Sequence, residues 1–143
     1  MTKILVADDE ADLETLIRQK FRQKIRQQEY EFVFAANGKE AIARIGEHPD
    51  IDLVLSDINM PEMDGFETAH WIKINHPEIK VLALSMYDNE TSIIRMLKCG
   101  AKGYILKDSE PAELKAAIHA LMDKGFYYSD LVSGKLMHAI NKM

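Results

Sequence analysis

Five short apolar runs alternate along the chain with longer stretches in which polar residues dominate. The runs are rich in Val, Ile and Leu, which favour strands, and each is bounded by polar or turn-forming residues. The pattern therefore predicts five β-strands, at residues 3–7, 30–36, 52–56, 80–85 and 103–107.

The intervals between these runs carry apolar residues at helical spacing. In the first interval Leu13, Ile17 and Phe21 recur every four residues, which predicts a long amphipathic helix. Gly100 and Gly125 each follow a helical pattern, and glycine at that point is typical of a left-handed helix cap. We expect one helix after each strand.

Strands of nearly continuous aliphatic residues, each followed by a helix, are typical of a parallel sheet buried on both faces. Connections between parallel strands are right-handed, so the helices cover the two faces of the sheet. The sequence thus predicts a (βα)5 doubly wound α/β fold. Functional groups in such folds gather beyond the carboxyl ends of the strands.

Length and composition narrow the classes of protein to consider. The 143 residues, 47% of them hydrophobic, suffice for one compact domain. No apolar run reaches the roughly 18 residues of a membrane span, and acidic residues come too early for a signal peptide, so we expect a cytoplasmic protein without membrane contact. The net charge of -5 argues against direct nucleic-acid binding by this chain.

Charged and polar residues stand directly after four of the five predicted strands. Asp8 and Asp9 follow the first strand and Asp57 ends the third, so three carboxylates converge if these strands are neighbours. Their mutual repulsion calls for a cation, and all-oxygen ligands suit Mg²⁺. Asp57 is then a candidate nucleophile for an acyl phosphate, with Lys107 and Ser85 as partners for the phosphoryl oxygens.

Four segments carry a resemblance to a known family. "ILVADDE", "LVLSDINMPEMDGFE", "VLALS" and "GAKGYILKD" resemble, in this order and at these separations, the receiver domain of bacterial two-component response regulators. The resemblance covers about residues 3–124, and the second half is similar to receivers of the NarL type. It implies a flavodoxin-like sheet with strand order 2-1-3-4-5.

The resemblance also implies which residues hold the metal ion. It makes Asp9 and Asp57 direct ligands of Mg²⁺, together with the backbone carbonyl of Asn59. Asp8 is implied to act mainly through metal-bound water. The implied metal site therefore contains Asp8, Asp9, Asp57 and Asn59.

The same resemblance implies a switch. Asp57 is the implied phosphoacceptor, Lys107 the phosphate contact, and Ser85 and Tyr104 the pair that changes conformation. The phosphoryl donor is expected to be a sensor histidine kinase or a phosphotransfer protein, and phosphorylation is expected to favour a homodimer. Such a module is not an enzyme, since it catalyses only its own phosphorylation and dephosphorylation.

One alternative function stays open at this point. A phosphohydrolase of the haloacid dehalogenase kind also uses an aspartyl phosphate and Mg²⁺. Such enzymes carry a D-x-D pattern, and this chain has Asn59 at the position of the second acid.

The division of the chain into domains is also open. We expect residues 1–125 to form the receiver domain and residues 126–143 to be a C-terminal tail or a truncated linker. One short amphipathic segment of this tail contains Leu131, Leu136, Met137 and Ile140.

Overall fold

The computed structural model describes residues 1–142 and forms one parallel sheet with helices on both faces. The strand order is β2-β1-β3-β4-β5-β6, and every neighbouring pair is parallel. The strands are β1 (Thr2–Ala7), β2 (Tyr30–Ala35), β3 (Leu53–Asp57), β4 (Lys80–Ser85), β5 (Gly103–Leu106) and β6 (Tyr127–Tyr128).

Seven helices lie within the described residues. No helix among residues 1–142 is long and apolar enough to cross a membrane. The helices are α1 (Ala11–Lys20), α2 (Arg22–Arg26), α3 (Gly38–Glu47), α4 (Gly65–Asn75), α5 (Glu90–Lys98), α6 (Pro111–Lys124) and α7 (Asp130–Asn141).

The predicted parallel α/β class and the order 2-1-3-4-5 are confirmed, but the prediction of only five strands is wrong. Tyr127 and Tyr128 form a sixth strand, in register with Gly103 and Tyr104 of β5. Lys102 completes the pairing, because its carbonyl accepts a hydrogen bond of 3.0 Å from the Tyr127 amide. The edge of β5 is thereby covered, which removes a row of unpaired backbone groups.

The first helical interval also differs from the prediction of one long helix. Phe21 separates α1 from α2, with φ -106° and ψ 19°. Its ring is buried and packs against Phe32, at 5.3 Å between ring centroids, and against Tyr30. The Phe21 amide still donates to the Ile17 carbonyl, so the apolar spacing continues across a local break in the helix.

Two buried clusters lie on opposite faces of the sheet. One lies beneath α3, α4, α5 and α7 and includes Val54, Ile72, Met96 and Tyr104. The other lies beneath α1 and α6 and includes Ile17 and further aliphatic residues. Burying both faces in this way explains why the strands are aliphatic at nearly every position.

The segment after Gly125 packs on the sheet. Gly125 has φ 92° and caps α6, and Gly100 has φ 109° after α5, so both predicted left-handed caps are confirmed. Val132 of α7 is buried, and Leu136 packs on the first cluster. The predicted domain division at residue 125 stays a prediction.

Candidate functional site

The strand register brings three aspartates together. Ala7 of β1 lies opposite Ser56 of β3, so Asp8 and Asp57 follow next to each other at the carboxyl edge. Asp8, Asp9 and Asp57 offer carboxylate oxygens that all lie within 4.8 Å of one another. Asp8 and Asp57 are buried and Asp9 is exposed, so the cluster opens to solvent on one side.

Backbone amides fix one oxygen of each buried carboxylate. The Asp8 Oδ1 atom accepts from the Glu10 amide, and the Asp57 Oδ1 atom accepts from the Ile58 amide, each at 2.8 Å. Gly65 closes the loop after β3, since a Cβ there would lie 2.2 Å from the Asp57 carbonyl oxygen. The sequence therefore needs glycine at this position to bring the loop back onto the strand end.

Lys107 supplies the positive charge of the cluster. Its Nζ atom lies 2.8 Å from Asp8 Oδ2, 3.4 Å from Asp57 Oδ2 and 3.2 Å from Glu10 Oε1. Burial disfavours the ammonium, but the hydrogen bond and charge of Asp8, followed by the charge of Asp57, outweigh it and raise the pKa of Lys107. This lysine is therefore held in its charged form beside the carboxylates.

For the pKa of Asp57, burial outweighs the effect of the neighbouring lysine. Burial is the largest cause that raises its pKa to about 6, and the charge of Asp8 adds to it, against the lowering effect of Lys107. One ammonium therefore compensates incompletely for the buried carboxylates. A further cation at this edge relieves that repulsion.

The donor set fits Mg²⁺. The Asp8 Oδ2 atom is buried and contacts the Lys107 ammonium at 2.8 Å. Asp8, Asp9 and Asp57 offer only oxygen ligands, and hard divalent cations bind such ligands in preference to nitrogen or sulfur. The structure thus presents carboxylate oxygens whose charge one lysine only partly balances, at the edge where a metal ion is expected.

Ser85 and Tyr104 join a second set of contacts, centred on Tyr87. The Ser85 hydroxyl oxygen accepts from the Tyr87 amide at 3.0 Å, and the Tyr104 hydroxyl donates to the Tyr87 carbonyl. The Tyr87 hydroxyl in turn accepts from the Asn59 side-chain amide at 3.0 Å. Three of the residues predicted for the site are therefore linked through one tyrosine.

Sequence reasoning missed Tyr87. It lies in the loop after β4 and its side chain is about half exposed, so neither periodicity nor charge marks it. In the sequence, only its position two residues after Ser85 could have indicated a role in the site. The structure thus divides the predicted residues between a carboxylate and lysine cluster and the network around Tyr87.

Comparison with known proteins decides the family. A model of the response regulator receiver domain matches residues 4–119, most of the chain. The chain belongs to this family. The resemblance noted in the sequence is confirmed: the chain is a receiver domain of the kind found in two-component response regulators.

Relatives of the receiver domain are bacterial regulators. It is 37% identical to the oxygen regulatory protein NreC of Staphylococcus epidermidis, over 90% of this chain and 58% of the relative. It is 39% identical to the nitrate/nitrite response regulator NarL of Escherichia coli, over 59% of this chain and 39% of the relative. The predicted NarL character is confirmed, and the receiver domain spans less than two thirds of these relatives.

A solved structure supports the same fold. The two-component response regulator of the LuxR family from Aurantimonas sp. SI85-9A1 aligns with a TM-score of 0.80 at 26% identity. The alignment covers 97% of this receiver domain and 98% of that chain. Its coverage includes part of the segment after Gly125, so the fold likeness extends beyond the five-stranded unit.

Proposed function

We propose that this receiver domain accepts a phosphoryl group on Asp57 from the phosphohistidine of a sensor kinase or a phosphotransfer protein. The observation that carries the proposal is the cluster of Asp8, Asp9 and Asp57, whose oxygens lie within 4.8 Å of one another around the Lys107 ammonium. Such a cluster combines a nucleophile, metal ligands and a cation for the phosphoryl oxygens.

The transfer is a single displacement at phosphorus. An Asp57 carboxylate oxygen forms the new bond to phosphorus while the bond to the donor imidazole nitrogen breaks, and that nitrogen keeps the electron pair. Lys107 is already charged within 3.4 Å of Asp57, so it stabilises negative charge on the phosphoryl oxygens without moving far.

Mg²⁺ is the cofactor of this proposal. Asp9, Asp57 and the backbone carbonyl of Asn59 would hold it directly and Asp8 through water, and it would supply positive charge against the repulsion between the Asp57 carboxylate and the phosphoryl group. Asp8 keeps its ion pair with Lys107 in this arrangement. The metal would thus add the positive charge that one lysine, shared between Asp8 and Asp57, does not supply.

Replacing Asp9 by alanine is expected to weaken Mg²⁺ binding more than replacing Asp8 does. The physical reason is that Asp9 is proposed as a direct ligand and Asp8 as acting through water, so we expect a loss of about 100-fold or more for Asp9→Ala and a smaller loss for Asp8→Ala. Isothermal titration with MgCl₂ at constant ionic strength measures both. A larger loss for Asp8→Ala contradicts this division of roles.

Ser85 and Tyr104 form the proposed switch. Tyr104 is fully buried in this structure, with its hydroxyl held by the Tyr87 carbonyl. When the Ser85 hydroxyl donates to a phosphoryl oxygen, it still accepts from the Tyr87 amide, so the loop that holds Tyr104 inward is fixed to the phosphorylated site. Phosphorylation then shifts an existing equilibrium of the ring toward the inward state.

The Tyr87→Phe variant tests this connection. Removing the hydroxyl breaks the bond to Asn59, and one hydrogen bond contributes about 0.5–1.5 kcal/mol. We expect phosphorylation to persist but the ratio of inward to outward Tyr104 to fall by about 2- to 10-fold. Fluorine NMR of fluorotyrosine-labelled protein with beryllofluoride measures it. Tyr128→Phe is the matched control, and equal behaviour of the two variants rejects the connection.

The direct test of the function compares transfer with turnover. Incubation with a phosphorylated histidine donor and Mg²⁺ is expected to load one phosphoryl group per chain. A generic phosphoester is expected to give no sustained release of phosphate, because residue 59 is an amide bonded to Tyr87 and offers no second acid at that position. Sustained multiple turnover supports the phosphohydrolase of the haloacid dehalogenase kind and contradicts the receiver function.

A further inference from the structure

Helix α7 covers one part of the surface around Tyr104. Val132 is only 2% exposed and belongs to the same buried cluster as Tyr104, Ile93 and Met96. Leu136, one turn later, packs against this cluster from its edge. The helix therefore lies against the surface formed by Ile93 and Met96 of α5 and Tyr104 of β5, which we call the switch face.

Polar contacts at both ends hold α7 in place. At its start, the Ser129 hydroxyl oxygen accepts from the Val132 amide at 3.3 Å and caps the helix. Near its end, Glu90 at the start of α5 pairs with His138 and with Lys142, the latter at 3.6 Å. These ion pairs are exposed and contribute little, so the buried Val132 is the main anchor.

The Tyr104 ring and α7 border the same space. A cavity of about 340 Å³ is lined by Tyr104 and Ile93 on one side and by Val132 and Leu131 on the other. Rotation of the ring out of its buried position changes the volume beside Val132 and removes part of the surface on which the helix rests. Docking of α7 and inward placement of Tyr104 therefore support each other.

We propose that α7 is an intramolecular ligand of the switch face and that its docking is coupled to the orientation of Tyr104. The inference rests on the proposed function, because phosphorylation of Asp57 is what biases the ring inward. Since coupling is reciprocal, phosphorylation tightens α7 against the domain, and a docked α7 holds Tyr104 inward. A docked α7 excludes other molecules from the surface under Val132.

Docking also determines what the domain presents to partners. The outward side of α7 carries Met137 and Ile140, which are both exposed. When α7 is docked, it covers the switch face and presents its own exposed apolar side chains to solvent instead. A second molecule that binds the switch face itself competes with α7 and favours the undocked state.

Hydrogen exchange of the full chain tests the coupling. Amides of α7 are followed by mass spectrometry with and without Mg²⁺ and beryllofluoride. Beryllofluoride is expected to slow their exchange by about 5-fold or more. Ser85→Ala loses a contact to the mimic, so it is compared at a mimic concentration that gives the same protection of the loop after β3 as in the unsubstituted chain. At this equal occupancy it is expected to lose the slowing in α7.

Variants at two positions of α7 test the docking. Val132→Asp is expected to speed exchange in α7 by about 10-fold or more, while the same change at the exposed Met137 leaves it within about 2-fold. Val132→Ala is a milder second variant that is expected to speed exchange by about 5-fold if Val132→Asp does not fold.

The outcomes separate the two proposals. If the mimic binds and protects the loop after β3 while exchange in α7 of the unsubstituted chain is unchanged, the coupling is wrong and the proposed function stands. If the mimic does not bind, the proposed function fails and the coupling falls with it. Equal exchange in the Val132→Asp and Met137→Asp variants overturns the docking itself.

Discussion

Asp57→Asn is expected to lower phosphoryl transfer to the protein by about 100-fold or more, because the amide is a poor nucleophile and a poor metal ligand. The substitution keeps the size of a side chain that is buried at the end of β3. Intact-mass measurement after incubation with Mg²⁺ and a small acyl phosphate reports the transferred group.

Asp123→Asn is the control for this experiment. Asp123 is exposed on α6, away from the carboxylate cluster, so the control undergoes the same chemical change without touching the site. It is expected to accept the phosphoryl group as the unsubstituted protein does. Equal labelling of Asp57→Asn and Asp123→Asn contradicts the assignment of Asp57.

Lys107→Met is expected to lower the free energy of unfolding of the metal-free protein by about 2–4 kcal/mol at pH 7. The side chain is 9% exposed, and its loss leaves Asp8 and Asp57 without their ion-pair partner. Urea denaturation in the presence of a chelator measures the change. Lys102→Met, at an exposed position, is expected to stay within about 0.5 kcal/mol, and equal effects of the two contradict the electrostatic role of Lys107.

Asp57→Asn is expected to raise the free energy of unfolding of the metal-free protein by about 1–2 kcal/mol at pH 7. The pKa of Asp57 is raised to about 6, above its unfolded value near 3.9, so the folded protein binds the additional proton between these values. Ionised Asp57 therefore costs stability, and the cost grows as pH rises through this window. The advantage of asparagine should be full above about pH 6 and absent below about pH 4. An advantage that does not vary with pH contradicts this electrostatic origin.

The parallel sheet was predictable because its strands bury both faces. Aliphatic residues at consecutive positions, as in Val54 and Leu55, distinguish such strands from the alternating pattern of a half-exposed sheet. Carboxyl ends of parallel strands share one edge, so residues that are distant in sequence, such as Asp8 and Lys107, were expected to meet there. The structure places their charged atoms 2.8 Å apart.

Other features carried no comparable signal. The strand of Tyr127 and Tyr128 is too short for a period, and it forms because the edge of β5 offers unpaired backbone groups. The break at Phe21 keeps the apolar spacing of a continuous helix, so only the backbone angles reveal it. Tyr87 acts largely through its backbone amide and carbonyl, which every residue type possesses.

The coupling between Tyr104 and α7 depends equally on tertiary placement. The apolar residues of the last segment predicted an amphipathic stretch but not the surface that it covers. Val132 identifies that surface, because it is buried in the cluster that contains Tyr104. Packing between elements that are separated in sequence is decided by the whole fold, and a local pattern does not encode it.

The most direct test of the account locates the phosphoryl group on the unsubstituted protein. Borohydride reduces an aspartyl phosphate to homoserine, so reduction after incubation with a phosphohistidine donor and Mg²⁺, followed by peptide mass mapping, marks the acceptor. We expect homoserine at position 57, formed only when Mg²⁺ is present. Homoserine at another aspartate, or a phosphoryl group on a residue that borohydride leaves unchanged, contradicts the account.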